Sequence, residues 1–169
     1  MKPNNTRLWL AALLSLGIAG TSQALPTDRN QPIHVSADRA TMDDNSGITT
    51  YSGNVEIEQG SLKIKARTVD LHRNNDGVSR ILATGNVQFQ QQASSDKPVT
   101  NAYGERMDYQ VQRQEITITG DARVVQQKDT FTGQKIVYNL DKSLVNAFSS
   151  EDGKGQRVQM VIQPKGAAQ

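Results

Sequence analysis

The sequence contains no cysteine and only two histidines. Without cysteine there is no disulfide, no thiol nucleophile and no lipid attached through an N-terminal cysteine, so we expect a fold held by its core and its backbone hydrogen bonds. H-E-x-x-H, G-x-S-x-G and phosphate-loop motifs are absent as well. His34 and His72 each follow an apolar residue and should point away from the apolar face, which makes a poor metal site. We therefore predict no metal, no cofactor and no catalytic residue.

Aromatic residues make up 5% of the chain, which argues mildly against a platform that stacks sugar rings. Glu56 and Glu58 share one face of a predicted strand at a spacing that a carboxylate pair in a hydrolase could use. Cross-strand charge pairs with lysines such as Lys63 and Lys65 explain the same spacing without enzymology. A hydrolase or a carbohydrate-binding module remains a weaker alternative, in which Glu56→Gln and Glu58→Gln abolish an activity while folding persists.

No apolar run is long enough to cross a bilayer, which takes about 20 residues. The longest follows Lys2 and Arg7 and extends from Leu8 to Ile18. After it comes Ser22-Gln23-Ala24, which puts small residues at positions −3 and −1 of a cleavage site. This pattern is typical of a secretory signal peptide covering residues 1–24, cleaved between Ala24 and Leu25. The remaining chain is expected to be a soluble, exported protein.

The charges are nearly balanced, at 19 basic and 17 acidic residues. Lys2 and Arg7 would leave with the signal peptide, so the mature chain would carry equal numbers of both signs. No basic surface of the kind that nucleic-acid binding needs is expected. The length predicts one domain, at residues 25–163, followed by a disordered tail at 164–169.

Alternation of apolar and polar residues runs through the chain from Gln31 to about Ile162, with no helical stripe of any length. Short polar or glycine-bearing stretches, such as Asp76-Gly77, separate the alternating runs and are typical of hairpin turns. Each predicted strand therefore has one dry and one wet face, as in an antiparallel sheet. The clearest alternating pairs are Val55 and Ile57, Leu62 and Ile64, Val87 and Phe89, Met107 and Tyr109, and Ile116 and Ile118.

A [ST]-G-[ND]-[VA] step recurs at residues 52–55, 84–87 and 119–122. A second unit, a small residue followed by a polar pair, alternates with these steps along the chain, at residues 37–40, 66–69, 104–107 and 133–136. Glycine inside a strand usually marks a bend or a bulge, so the Gly-Asn step is predicted to turn a corner of a roll. The unequal intervals and the hairpin turns favour an antiparallel roll over a parallel β-helix.

Five short motifs together resemble the LptA/OstA-like family over about residues 30–150: Gln31-Pro32-Ile33-His34-Val35, Tyr51-Ser52-Gly53-Asn54-Val55, Gly60-Ser61-Leu62-Lys63-Ile64, Gly120-Asp121-Ala122 and Gly133-Gln134-Lys135-Ile136-Val137-Tyr138. The resemblance implies an all-β, open-ended, twisted antiparallel β-jelly roll. It also implies a periplasmic, non-enzymatic component of lipopolysaccharide transport that takes part in assembly of the Gram-negative outer membrane.

A lipid-binding groove follows from the same resemblance, because the family carries the acyl chains of lipid A inside the roll. Combined with the alternation, it predicts a groove lined by Ile33, Val35, Val55, Ile57, Ile64, Val87, Phe89, Met107, Tyr109, Ile116, Ile118, Phe131, Ile136, Tyr138 and Phe148. The same residues would also form an ordinary packed core, so a structural β-scaffold with a filled interior is the alternative.

The expected partners also come from the resemblance. They are lipopolysaccharide, an inner-membrane anchor of the LptC type, an outer-membrane assembly protein of the LptD type, and further copies of the chain joined head to tail. An open roll leaves unpaired strand edges at both ends. The segments at about 33–40 and 145–162 would pair with these partners by β-strand addition.

Overall fold

The computed structural model describes residues 28–92, 97–150 and 157–163. The predicted signal peptide, its cleavage site and the C-terminal tail lie outside these residues. A short 3-10 helix at Asp28–Asn30 precedes ten strands. These are β1 His34–Ser36, β2 Arg39–Asp43, β3 Ile48–Gln59, β4 Leu62–Asn74, β5 Gly77–Gln91, β6 Thr100–Gln110, β7 Glu115–Gln126, β8 Asp129–Asn139, β9 Leu144–Phe148 and β10 Gln159–Val161.

The strands form one antiparallel sheet. Strands β3 to β8 meander, each pairing with the next in sequence. Short turns join β3 to β4, β4 to β5, β6 to β7 and β7 to β8, as antiparallel pairing allows. At one end β1 and β2 both pair with β3, and at the other end β9 and β10 both pair with β8. Among the described strands, neither end pairs with the other, so the sheet stays open.

Each Gly-Asn or Gly-Asp step bends its strand. The backbone φ angles are 78° and 45° at Gly53 and Asn54, and the other two steps are nearly identical. Glycine adopts positive φ without a steric penalty and asparagine tolerates it better than most residues. The strand register shifts at all three steps, between Ser52 and Val55 in the first. The predicted corners are therefore confirmed as β-bulges in β3, β5 and β7.

The second recurring unit lies across from these corners and covers them. Arg67 crosses Gly85 so closely that a Cβ on this glycine would lie 2.7 Å from the Arg67 Cβ. Asp38 covers Gly53 in the same way and accepts a hydrogen bond from Asn54 Nδ2 at 3.0 Å. The two repeats thus pack against each other along the bend. Glycine has no side chain, and the polar side chain of the second unit fills the space beside it.

The bend divides the sheet into two layers that pack face to face. Layer 1 contains β2, β9 and residues 48–52, 68–74, 77–84, 106–110, 115–119 and 135–139. Layer 2 contains β1, β10 and residues 55–59, 62–66, 87–91, 100–104, 122–126 and 129–133. Apolar residues from both layers form a single core cluster. The predicted open antiparallel β-jelly roll is confirmed.

None of the helices within the described part of the chain is long and apolar enough to span a membrane.

Candidate functional site: an apolar interior with a polar seam

Most of the residues predicted to line a groove lie together between the two layers. The fold brings them together because every second residue of each strand faces the opposite layer. Fully buried members come from layer 1, such as Met107, and from layer 2, such as Phe89. Ile33, Val35 and Phe131 are partly buried and pack against this cluster near its ends. The buried predicted residues are Val55, Ile57, Ile64, Val87, Phe89, Met107, Tyr109, Ile116, Ile118, Ile136 and Tyr138.

Phe148 does not lie with them. Its side chain is 47% exposed, and its position in β9 pairs with Lys135 of β8, whose side chain faces outward. The neighbouring pair, Ile136 and Ala147, is the one that faces the interior. The Lys135 Nζ lies 5.6 Å from the centre of the Phe148 ring, within reach of a cation–π contact. The prediction that Phe148 lines the groove is therefore wrong, because its phase in the strand places it outside.

Several interior residues are missing from the sequence prediction. Leu62 already belongs to an alternating pair with Ile64 but is absent from the predicted groove. Extending the alternation across the bulges could have found Val69, Leu71, Ile81 and Val124. Four alanines pack beside larger side chains, and the sequence offers no signal for them because alanine occurs on either face. The missed core residues are Leu62, Ala66, Val69, Leu71, Ile81, Ala83, Ala102, Ala122, Val124 and Leu140.

Opposite the corner, the strand ends of the two layers meet along a line that we call the seam. Polar side chains occupy it. Thr100 Oγ1 of layer 2 lies 3.4 Å from the hydroxyl oxygen of Tyr138 in layer 1. Outside this pair, Lys97 Nζ donates to Ser143 Oγ at 3.2 Å. The layers are therefore covalently continuous at the corner and joined by side-chain contacts at the seam.

Asp28 joins strand ends of layer 2 beside the seam. Its carboxylate accepts hydrogen bonds from the backbone N–H and hydroxyl of Ser61, at 2.8 and 2.7 Å, and from Gln91 Nε2 at 2.8 Å. Gly60 gives the carboxylate room, since a Cβ there would lie 2.3 Å from Asp28 Oδ1. The 3-10 helix thereby links the β3–β4 turn to the end of β5.

Both ends of the roll are split, because the two terminal strands at each end follow different layers. Where β1 and β2 diverge, a cleft of about 520 Å³ is lined by Val35, Ala37 and Tyr51 among others. At the opposite end a cleft of about 1040 Å³ is lined by Ala147, Phe148 and Val158 among others. Exposed apolar side chains concentrate at this second end: Leu144, Phe148, Val158, Met160, Val161 and Ile162.

The two glutamates in β3 form ion pairs. Lys65 Nζ lies 2.6 Å from Glu56 Oε1, and Lys63 Nζ lies 2.8 Å from Glu58 Oε1, all on exposed side chains. The hydrogen bond from Lys63 lowers the pKa of Glu58 below its usual value. A general acid needs the opposite shift, toward the working pH. The cross-strand charge pairs predicted from the sequence are confirmed.

The histidines lie apart, His34 exposed in β1 and His72 half-buried in β4. No group of three or more histidine, cysteine or carboxylate side chains that could hold a metal occurs among residues 28–92, 97–150 and 157–163.

The sequence of this chain is similar to those of several known proteins. Residues 34–143 match the family described as LptA/(LptD N-terminal domain) LPS transport protein. The lipopolysaccharide export system protein LptH of Pseudomonas aeruginosa is 40% identical over 86% of this chain and 87% of its own. LptA of Escherichia coli is 29% identical over 97% of this chain and 90% of its own.

A solved structure agrees with the sequence relatives. The crystal structure of LptH, described as the LptA-homologous periplasmic component of the lipopolysaccharide transport device of Pseudomonas aeruginosa, superposes with a TM-score of 0.76 at 38% identity. The match covers 82% of this chain and all of that one. This chain therefore belongs to the LptA and LptD N-terminal domain family of lipopolysaccharide transport proteins.

Proposed function

We propose that this protein is a periplasmic carrier of lipopolysaccharide that bridges the inner and outer membranes during outer-membrane assembly. The acyl chains of lipid A lie between the two layers of the roll, and the sugars stay outside. The observation that carries the proposal is one apolar face that continues through an open sheet from β1 to β9. The names of the relatives, which are lipopolysaccharide export proteins, support the cargo.

Burial of acyl chains supplies the affinity. Each methylene moved from water into an apolar interior contributes about 0.8 kcal/mol, so a lipid with several long chains would be held firmly. Passing the lipid from one apolar interior to the next requires little net free energy, because the acyl chains leave one apolar environment and enter another. Direction therefore comes from outside this chain, by family analogy from an ATP-driven extractor in the inner membrane.

A structural scaffold with a filled interior is the second candidate, and one observation favours it. The side chains of Val69, Ala83, Met107 and Ile136 are fully buried against their neighbours in the described structure. Acyl chains therefore need space that the layers provide by moving apart. The corner glycines and the noncovalent seam permit such a movement, whereas a scaffold would not require it.

Photo-crosslinking separates the two candidates. A benzophenone amino acid at Phe89 or Tyr109, both buried, should capture lipopolysaccharide in cells and produce a ladder on a gel. The same residue at Gln88, exposed on β5 one position from Phe89, is the matched control and should capture none. Well-folded protein that captures nothing at Phe89 and Tyr109 would favour the filled scaffold.

The end strands are proposed as docking edges for an LptC-type anchor, an LptD-type assembly protein and further copies of this chain. Strands β1, β2, β9 and β10 each have one neighbour among the described strands, which leaves backbone donors and acceptors for β-strand addition. The exposed apolar side chains around β9 and β10 support docking at that end. A head-to-tail stack would join the interiors of successive rolls.

Charge placed at the C-terminal edge should prevent self-association. Met160→Glu with Ile162→Glu changes two exposed side chains, so the melting temperature should stay unchanged while oligomers seen by light scattering give way to monomers. Val99→Glu is the control. It places the same charge on another exposed apolar residue, which lies before β6 and away from β10, and it should leave the oligomers intact. An unchanged mass distribution in the double variant would contradict docking at β10.

The protein is further proposed to be non-enzymatic and to work in the periplasm. The ion-paired state of Glu56 and Glu58 supports the first point, because both carboxylates are occupied by lysines in the sheet. The predicted signal peptide and the periplasmic LptH relative support the second.

A further inference from the structure

Three buried polar residues lie side by side in the seam. Gln91 of β5 pairs in register with Thr100 of β6, and Tyr138 approaches Thr100 from layer 1. Their exposures are 7%, 3% and 3%. The apolar interior borders this polar group on one side and solvent on the other, so the group lies at a boundary between the interior and solvent.

The hydrogen-bonding capacity of this group is incompletely used. Gln91 Nε2 donates to Asp28, whereas Gln91 Oε1 has no hydrogen-bond partner among the described residues. Thr100 Oγ1 lies 3.4 Å from the Tyr138 hydroxyl and 3.3 Å from Gln126 Nε2. Both distances exceed the usual range, about 2.5–3.2 Å. A buried acceptor without a partner is unfavourable, so Gln91 Oε1 would gain from a donor supplied by a ligand.

The space available limits what that donor can be. Gln91, Thr100 and Tyr138 line a cavity of about 10 Å³, with Lys97 and Ser143 also in its lining. This volume accommodates one small polar group such as a hydroxyl or an amide N–H, and it excludes a whole headgroup. The exposed Lys97 marks the solvent side of the cavity.

A lipid with its chains inside the roll and its headgroup outside passes its chain-to-headgroup junction through the seam. In lipid A this junction carries amide N–H groups and the hydroxyl groups of hydroxyacyl chains, which are hydrogen-bond donors. A diacyl glycerophospholipid presents ester carbonyl oxygens there, which accept but do not donate. Gln91 Oε1 can therefore pair with the first kind of junction and not with the second.

We propose that Gln91, supported by Thr100 and Tyr138, forms a polar subsite that selects lipids with hydroxyl or amide donors next to their acyl chains. The inference rests on the proposed function, since it requires acyl chains between the layers. It adds a specificity determinant that apolar burial cannot provide, because methylene groups of any lipid are buried equally well. The missing hydrogen bond discriminates against ester-linked phospholipids.

The test measures capture of two lipids by the full chain with a benzophenone at Tyr109. Purified lipid A and a diacyl phosphatidylcholine, which carries no hydroxyl or N–H donor, are titrated separately. Gln91→Leu preserves bulk and removes the acceptor. It should raise the lipid A concentration at half-saturation roughly tenfold, the value of one hydrogen bond, without changing that of phosphatidylcholine. Thr100→Val should act in the same direction and serves as a second variant if Gln91→Leu folds poorly.

Two controls exclude indirect effects. Gln90→Leu makes the same substitution at the next, exposed position of β5 and should change neither titration. Ser61→Ala removes a different hydrogen bond to Asp28, together with the hydrogen bonds of the same hydroxyl to the Gln92 backbone, and reports the effect of a loosened 3-10 helix and β5 end. Equal weakening for both lipids, or no change for either, would overturn the polar subsite. Capture of neither lipid by the unmodified protein would overturn the proposed function itself.

Discussion

Replacing Gly85 with alanine should destabilise the protein by about 3 kcal/mol. Two effects add. The φ angle of 84° is unfavourable for any residue with a Cβ, and the new Cβ would lie 2.7 Å from the Cβ of Arg67, which cannot move away without shifting β4. Urea denaturation measures the loss as a lower transition midpoint. Because β5 lies in the middle of the meander, a distorted corner there disturbs both neighbouring strands.

Gly77→Ala separates the two effects. Its φ angle is also positive, at 109°, but no atom lies within 4 Å of the position that its Cβ would take. This variant should lose only the backbone contribution, about 1 kcal/mol. Equal losses at Gly77 and Gly85 would show that the close approach of Arg67 contributes nothing to the corner.

Val124→Asp should abolish folding or leave a protein unfolded by very little urea. Val124 has no exposed surface, and burying an unpaired carboxylate costs several kcal/mol, of the order of the whole stability of a domain. Circular dichroism and urea denaturation report the change. The effect should be confined to residues that face the interior, because residues along β7 alternate between the apolar cluster and solvent.

Val125→Asp is the matched control, with the same substitution one residue further along β7. Val125 lies on the outer face, opposite Asn101 and Thr130, and its carboxylate would reach water. The stability should change by less than about 1 kcal/mol. Comparable losses for the two variants would contradict the two-faced sheet. Lipid capture at Phe89 should survive Val125→Asp and disappear with Val124→Asp.

The strands and corners could be predicted because they depend on neighbouring residues. Alternation in β3 to β8 specifies which residues share a face, and the Gly-Asn step specifies where the backbone adopts positive φ. Phe148 shows where this reasoning ends. Its strand is only five residues long, and the alternation of so short a strand did not establish which face Phe148 occupies.

The seam could not be predicted. Gln91 and Gln114 are polar residues beside strand ends, where side chains are usually exposed, yet both are only 7% exposed. Gln114 Nε2 reaches the hydroxyl of Tyr109 at 2.9 Å and the Val111 carbonyl at 2.7 Å. A polar side chain can be buried where other strands supply its hydrogen-bond partners. The sequence of a single strand does not indicate which residues those partners are.

The sequence by itself determined the all-β class, the two faces of each central strand and the positions of the corners, because these follow from side-chain period and backbone sterics over a few residues. The tertiary structure decided the rest. It set β1 and β2 on different layers, returned β10 to β8, placed Phe148 outside and buried Gln91 with an unpaired oxygen. Each of these depends on contacts between residues far apart in the chain, which only packing of the two layers brings together.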